Sequence, residues 1–331
     1  MNLYKKFCIN FILILAFCLV IISPTLFCIN FGVEDAPGRT MDNWFKVKEA
    51  YAKKHEDEKK LFVLSCSTCL YGVDSKKLED ALNIPVVNFA TTSSLRKYQF
   101  DRIKHSLRAG DIVLMPLEYG IYTDQSSFGK DPQGYYIYVM EFDPEHFNKM
   151  STCEKLFFAI HLKPNFLLKR TFLRPLFHEY GDEGDHFLLS KYLNENGDLT
   201  SNTYETKFYN KPRITPDHAL NLKDHPGIGM QKTLKNFVEY CEKNNIKLYA
   251  TWQPIYPVTD KNKFYGHDLE SVSNIKKFWN SLGVEVLGNY YDAFYSAEDC
   301  YNSWSHLNDR GKEKYTKHLI ELLKPYVNGE V

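Results

Sequence analysis

Two polar stretches far apart in the chain hold side chains that nucleophilic acyl chemistry requires. Ser67 lies in LFVLSCSTCLYGVD, residues 61–74, where a short apolar run passes into a polar turn that begins a helix. His306 lies in YNSWSHLNDRGKEKY, residues 301–315, directly before the predicted last helix. A serine nucleophile needs an imidazole to accept its proton, and the imidazole needs a partner that orients it. Ser67 and His306 are therefore the first candidates for a catalytic pair.

The turn around Ser67 has two other interpretations. Serine is a preferred N-cap residue, so Ser67 could serve only to cap the following helix. Cys66 and Cys69 are spaced as C-x-x-C between a strand and a helix, as in thioredoxin-type redox turns. The tryptophan that usually precedes such a pair is absent. We expect the two cysteines to pack as small apolar residues or to form a local bridge.

Length and composition are those of a globular protein with one large domain or two ordinary ones. The chain has 331 residues, of which 44% are apolar and 25% are charged. Its 41 basic residues balance 41 acidic residues, which argues against nucleic acid as a partner because phosphate binding needs a basic surface. The 23 tyrosines and 23 phenylalanines are compatible with a sugar-binding cleft, although such rings more often fill cores.

The segment near the amino terminus predicts a membrane anchor. Residues 7–31, FCINFILILAFCLVIISPTLFCINF, carry no charge and are long enough to cross a bilayer as a helix. Lys5 and Lys6 precede them, so the amino terminus is expected in the cytoplasm. A cleaved signal peptide is the alternative, but no small-x-small site follows the run. We predict an uncleaved single-pass anchor within residues 1–35, with the remainder in the periplasm or outside the cell.

Beyond the anchor, the chain alternates between apolar runs and amphipathic helices. Residues 36–60 are expected to form a juxtamembrane helix, of which residues 43–59, NWFKVKEAYAKKHEDEK, would be exposed and charged and would space the domain from the membrane. The apolar runs are continuous, which is typical of parallel strands buried on both faces. They predict strands at 61–65, 84–90, 111–117, 246–254 and 284–288. The helices between them predict an α/β domain over residues 61–331 with a doubly wound, mostly parallel sheet.

Residues 121–225 lack this alternation and are predicted to form a large insertion at the carboxyl end of the third strand. Open α/β sheets bind ligands at that edge, so an insertion there would shape a cleft. The segment contains HEYGDEGDHF, residues 178–187, whose side chains are of types that bind metals. Its spacing matches no recognised metal loop, and a glycine-broken acidic loop is usually solvated. We expect neither a metal nor a cofactor.

Taken in order, the polar stretches resemble the SGNH/GDSL hydrolase superfamily. More narrowly, they resemble its membrane-anchored bacterial members that work beside membrane-bound O-acyltransferases. The resemblance covers roughly residues 60–120 and 230–325. The blocks that carry it are LSCSTCLYG, VVNFATTSS, MPLEYG and NSWSHLN.

The resemblance implies an SGNH/flavodoxin-like fold and a role for each matched residue. Ser67 stands in the nucleophile position, and His306 would be the base. Asn302 stands where the family has the aspartate of the triad, so the imidazole would be oriented by a residue without charge. Asp299 could substitute for it through a different loop path.

Oxyanion stabilisation and substrate binding depend on three further residues. Ala90 and Ser93 occupy positions where the family usually has glycine, and Ser93 could still donate its backbone N–H. The asparagine of the third block, an oxyanion donor in the family, is absent, which leaves the neighbourhood of Glu118 to replace it.

The resemblance implies an extracytoplasmic, membrane-anchored O-acyltransferase or esterase that acts on a cell-surface glycan through a serine acyl-enzyme, with acetyl as the expected acyl group. A membrane-bound O-acyltransferase is the expected partner. The alternative is a non-catalytic SGNH-like accessory protein that binds glycan or scaffolds the acyltransferase. Asn302 and the missing glycines motivate this second interpretation.

Overall fold

The computed structural model describes residues 4–14, 16–17, 36–123, 133–161, 192–204, 228–257, 259–260, 263–264 and 269–329. The chain divides into two compact units. One unit comprises residues 1–40 and 132–186, and the other comprises residues 41–131 and 187–331. The second unit contains both stretches that the sequence singles out, around Ser67 and around His306.

The strands of the described residues are β1 (Leu61–Val63), β2 (Val86–Asn88), β3 (Ile112–Met115), β4 (Lys247–Ala250), β5 (Thr259–Asp260), β6 (Lys263–Phe264), β7 (Glu285–Val286), β8 (Cys300–Ser303) and β9 (His306–Leu307). The α-helices are α1 (Ala36–Lys54), α2 (Ser67–Gly72), α3 (Ser75–Leu82), α4 (Arg96–Arg102), α5 (Tyr119–Thr123), α6 (Gln133–Phe142), α7 (Pro144–Lys149), α8 (Thr152–His161), α9 (Ile228–Lys243), α10 (Leu269–Ser281) and α11 (Asp309–Asn328).

A five-stranded sheet with the order β2-β1-β3-β4-β7 forms the centre of the second unit, and all of its strand pairs are parallel. Every residue of β1, β2 and β3 is buried, which explains their unbroken apolar character. The predicted α/β organisation around a parallel sheet is confirmed. The apolar runs extend past the strands because flanking residues such as Leu64 and Phe89 are also buried.

Residues 41–54 of α1 belong to the second unit and contribute to its core, so the predicted exposure of the helix at 43–59 is wrong, whereas its juxtamembrane position stays a prediction. Trp44 and Phe45 are buried, and the ring of Phe45 lies 5.7 Å from that of Phe89. Lys48 is also buried, and its ammonium group donates to two backbone carbonyl oxygens at 2.6 and 2.8 Å. The buried residues recur at helical spacing along one face, whereas the many charges that suggested exposure lie mostly elsewhere on the helix.

Among the described residues, no helix combines the length and the hydrophobicity needed to span a bilayer. Residues 4–14 and 16–17 are helical. Residues 18–35, which include much of the predicted anchor, lie outside the described part of the chain. The anchor stays a prediction.

Residues 192–204, a described part of the predicted insertion, belong to the second unit. The backbone N–H of Leu199 donates to the carbonyl oxygen of Leu70 at 3.1 Å. The buried carboxylate of Asp198 accepts hydrogen bonds from the backbone N–H and the hydroxyl of Ser75, at 2.8 and 2.7 Å. This segment is therefore tied by buried polar contacts to the chain that follows Ser67.

Candidate active site

The candidate residues collect at one edge of the parallel sheet. Ser67 follows β1, Ala90 follows β2 and Glu118 follows β3, and the carboxyl ends of these three strands lie at the same edge. Open α/β sheets bind ligands at this edge. The antiparallel hairpin of β8 and β9, which carries Asn302 and His306, packs there against α2.

Ser67 is the first residue of α2 and not its cap. The N-cap is Cys66, in an extended conformation, and no side chain caps this end of the helix. The interpretation of Ser67 as an N-cap is therefore wrong. The backbone N–H of a first helical residue has no partner within the helix, which makes the N–H of Ser67 a candidate donor to a developing oxyanion.

The structure brings Ser67, His306 and Asn302 into one hydrogen-bonded array. The Oγ of Ser67 lies 2.8 Å from Nε2 of His306, and Nδ1 of His306 lies 2.7 Å from Oδ1 of Asn302. An amide oxygen can only accept, so in this orientation Nδ1 carries the hydrogen and Nε2 keeps its lone pair. This is the tautomer in which an imidazole can remove a proton from a serine.

Burial sets the protonation state of His306. Its ring is half-buried, and loss of hydration lowers its pKa from the usual 6.5 to about 4. At neutral pH the imidazole is therefore uncharged, as a general base must be. Asn302 contributes no charge that would oppose this shift.

Tyr71 forms the face on which the imidazole of His306 lies. The two rings are stacked, with centroids 4.2 Å apart and planes inclined by 8°. Sequence reasoning missed this contact. The signal that could have found it is helical spacing, because Tyr71 follows Ser67 by four residues and so lies on the same face of α2.

Glu118 touches the candidate nucleophile directly. Its Oε1 lies 3.1 Å from the Oγ of Ser67. A hydroxyl group has one hydrogen, so Glu118 and His306 compete for it whenever both are unprotonated. The sequence placed Glu118 near the oxyanion region, and the structure places it against the serine itself.

The two residues at the family's glycine positions differ in their surroundings. The backbone N–H of Ala90 donates to Oδ1 of Asn88 at 3.1 Å, so this proposed oxyanion donor is already engaged. Ser93 begins the 3-10 turn Ser93–Leu95 and is half-buried. Oxyanion roles for Ala90 and Ser93 stay predictions.

Asn308 fixes the hairpin that carries Asn302 and His306. Its Oδ1 accepts two backbone N–H groups at the start of α11, both at 3.1 Å, as the N-cap of that helix. Its Nδ2 donates to two backbone carbonyl oxygens on the other side of the hairpin, at 2.6 and 3.2 Å. One buried side chain thus joins the closing helix to the hairpin of the site.

Asp299 does not take the place of the triad aspartate. Its carboxylate accepts from the hydroxyl of Ser296 at 2.8 Å and pairs with the ammonium group of Lys314 at 2.6 Å. These contacts commit the carboxylate to the start of the hairpin and to α11. The alternative that Asp299 orients His306 is wrong.

The two cysteines that flank Ser67 are buried and form no disulfide. Burial raises the pKa of the Cys69 thiol to about 12, so it carries no thiolate at neutral pH. The prediction that Cys66 and Cys69 pack as small apolar residues is confirmed, and the bridge is not formed. Neither observation supports redox chemistry at this turn.

Within the described ranges, no group of three or more His, Cys, Asp or Glu side chains could hold a metal ion. The stretch 178–187, with His178, Asp182, Glu183, Asp185 and His186, lies outside those ranges.

No protein-family model matches the chain, and no curated protein matches it. Among solved structures, the chain is similar to the crystal structure of protein YxiM from Bacillus subtilis, with a TM-score of 0.39 and 9% sequence identity. The match covers 81% of this chain and 57% of that one. A similarity this low does not bear on function.

Proposed function

We propose that the chain is a membrane-anchored, extracytoplasmic enzyme of the SGNH type that transfers or hydrolyses an O-acyl group, acetyl in the simplest case, on a cell-surface glycan. The observation that carries the proposal is the array in which Ser67 Oγ, His306 and Asn302 are joined at 2.8 and 2.7 Å. The position of these residues at the carboxyl edge of a parallel sheet supports an SGNH/flavodoxin-like fold.

The first half of the reaction forms an acyl-enzyme. Nε2 of His306 removes the hydroxyl proton of Ser67 while Oγ attacks the carbonyl carbon of the ester. The tetrahedral intermediate then collapses, and the imidazolium returns the proton to the leaving oxygen. Asn302 keeps the ring in the correct tautomer and orientation throughout.

In the second half, the acceptor is the nucleophile and the serine oxygen is the leaving group. A hydroxyl of the glycan (in a transferase) or water (in an esterase) gives its proton to Nε2 of His306 and attacks the acyl carbonyl. Collapse of this intermediate releases the product ester or acid and returns the proton to Ser67. An imidazolium forms in both halves, so whatever stabilises that cation contributes to the rate.

The donor side of the reaction is assigned by family analogy to a membrane-bound O-acyltransferase that would load the acyl group. The same analogy places the α/β domain outside the cytoplasm behind an anchor in residues 1–35. A reporter fused after residue 100 tests this topology. We expect activity from a reporter that works only outside the cytoplasm, and activity from a strictly cytoplasmic reporter would contradict the localisation.

A non-catalytic accessory protein is the second candidate, and two observations favour it. Asn302 provides an amide where a charged partner is usual, and the backbone N–H of Ala90 is occupied by Asn88. In this case the cleft would bind glycan or scaffold the acyltransferase without turnover.

A fluorophosphonate probe separates the two candidates, because it reacts covalently with an activated serine. We expect the full-length protein to be labelled and the Ser67→Ala variant to remain unlabelled. Ser281→Ala is the matched control: that hydroxyl donates within its own helix α10, at 2.7 Å from the Phe278 carbonyl oxygen, and labelling should persist. Folded wild-type protein that takes up no probe at any pH would favour the accessory protein.

A further inference from the structure

The ring of Tyr71 lies flat against the imidazole of His306. Tyr71 is 3% exposed, and the ring planes are inclined by 8° with centroids 4.2 Å apart. The ring of Tyr301 lies 5.9 Å from that of Tyr71. The imidazole is therefore held by Asn302 at its edge and by an aromatic ring across its face.

An aromatic face attracts a cation more strongly than a neutral ring. The π-system is negative above its plane, so a positive charge within about 6 Å of the ring centre is stabilised. Neutral imidazole makes the same stack with less electrostatic gain. The contact is thus stronger in the charged form of His306 than in the resting form, which is the condition for contributing to catalysis.

The two groups that form hydrogen bonds with the imidazole of His306 are uncharged, so neither stabilises the imidazolium by charge. Asn302, on β8, is uncharged, and Ser67, on α2, is neutral at rest. Among the described residues, the carboxylate of Glu118, after β3, contacts Ser67, with its Oε1 3.1 Å from Oγ. The ring of Tyr71 stacks on the imidazole, and the ring of Tyr301 packs against that of Tyr71.

We propose that Tyr71 is a positioning residue for His306, whose ring face stabilises the imidazolium formed in each proton transfer and so replaces part of the effect of the missing triad carboxylate. The inference rests on the proposed serine chemistry. Its physical core, the dependence of the His306 pKa on the electron density of the ring at position 71, can be measured without turnover.

The test varies the ring's charge distribution at nearly constant shape and burial. Tyr71 is replaced in the full-length protein by Phe and by Phe with one, two or three ring fluorines, each of which weakens the negative face. The pKa of His306 is measured by NMR of histidine-labelled protein in the Ser67→Ala background, with the resonance assigned by its loss in His306→Gln. Steady-state ester hydrolysis is measured in the matching active variants.

Tyr71→Phe, which removes the hydroxyl group and keeps the ring, is the reference from which the fluorinated rings are compared. Successive fluorines should lower the His306 pKa stepwise by about one unit in total, and should lower kcat roughly 10-fold with KM unchanged. The same series at Phe237, a ring buried on α9, is the control and should leave both quantities constant.

The inference and the proposed function fail in different ways. A His306 pKa that is constant across the fluorine series would overturn the inference, whatever the activity. A pKa that falls while kcat stays constant would overturn the catalytic role of the contact. A stepwise fall of the pKa in a protein that neither hydrolyses esters nor takes up the serine probe would retain the ring contact and reject the enzyme.

Discussion

Nδ1 of His306 and Oδ1 of Asn302 lie 2.7 Å apart, so an amide rather than a carboxylate aims the imidazole at Ser67. The amide selects the tautomer that leaves Nε2 free to accept a proton, but it cannot stabilise the imidazolium by charge. The site is therefore a serine triad in geometry with a neutral third member. The absence of a carboxylate at position 302 determines the kinetic and pH behaviour that we predict for the site.

Substitutions at the triad should differ in severity. His306→Ala removes the base and should lower kcat by about 10⁴-fold or more. Asn302→Ala should cost less, because the imidazole loses its aim but keeps its basicity. Asn302→Asp adds a carboxylate next to the forming imidazolium and should raise kcat for acetyl-ester hydrolysis. Asn244→Asp, an equal charge change on an exposed residue after α9, should have no effect.

Hydrolysis rates of the four variants and the wild type check this ordering. If Asn302→Asp is no faster than wild type while Asn302→Ala is harmless, residue 302 does not serve the imidazole.

The pH dependence of kcat/KM should show the low basicity of His306. Below its pKa the imidazole is protonated and cannot act as a base, so activity is lost as the pH falls. Because burial lowers that pKa to about 4, activity should persist well below the usual histidine value of 6.5. In Asn302→Asp the carboxylate favours the imidazolium, and the acidic limb should move to higher pH. A wild-type limb near 6.5 would contradict the lowered pKa of His306.

The sequence predicted the parts of this molecule that depend on local pattern. Continuous apolar runs indicated buried parallel strands, and the order of polar stretches after those strands indicated Ser67 and His306. Helix α1 was misjudged because its charges outnumber the aromatic residues that bury it. Helical spacing places Tyr71 on the same face of α2 as Ser67, but its stacking on His306 depends on how α2 meets the β8–β9 hairpin. The contact of Glu118 with Ser67 depends on how α2 meets the end of β3, and a local pattern does not encode either arrangement.

Glu118 should restrain the nucleophile when it is ionised. A carboxylate 3.1 Å from Oγ accepts the hydrogen that His306 must remove, and it repels a nearby oxyanion. Glu118→Gln can donate an amide N–H to Ser67 and leave the hydroxyl hydrogen to His306. We expect a several-fold rise in kcat for ester hydrolysis. A loss of 10-fold or more would instead give the ionised carboxylate a required role.

Asn308 should matter for stability through both ends of its side chain. Asn308→Ala removes the N-cap of α11 and the amide donor to two carbonyl oxygens, which should lower the free energy of unfolding by about 2 kcal/mol or more. Asn308→Ser retains a capping oxygen and should be less destabilising. Denaturant unfolding measures both variants. Equal losses for Ala and Ser would show that the cap contributes nothing.

The most direct test of the account is to trap the acyl-enzyme. The full-length protein is mixed with an activated acetyl ester, quenched in acid and digested, and the peptides are analysed by mass spectrometry. The account predicts one acetyl group on the peptide that contains Ser67, absent in Ser67→Ala and strongly reduced in His306→Ala. Acetyl groups found only on lysines, or on the Ser67 peptide to the same extent without His306, would contradict it.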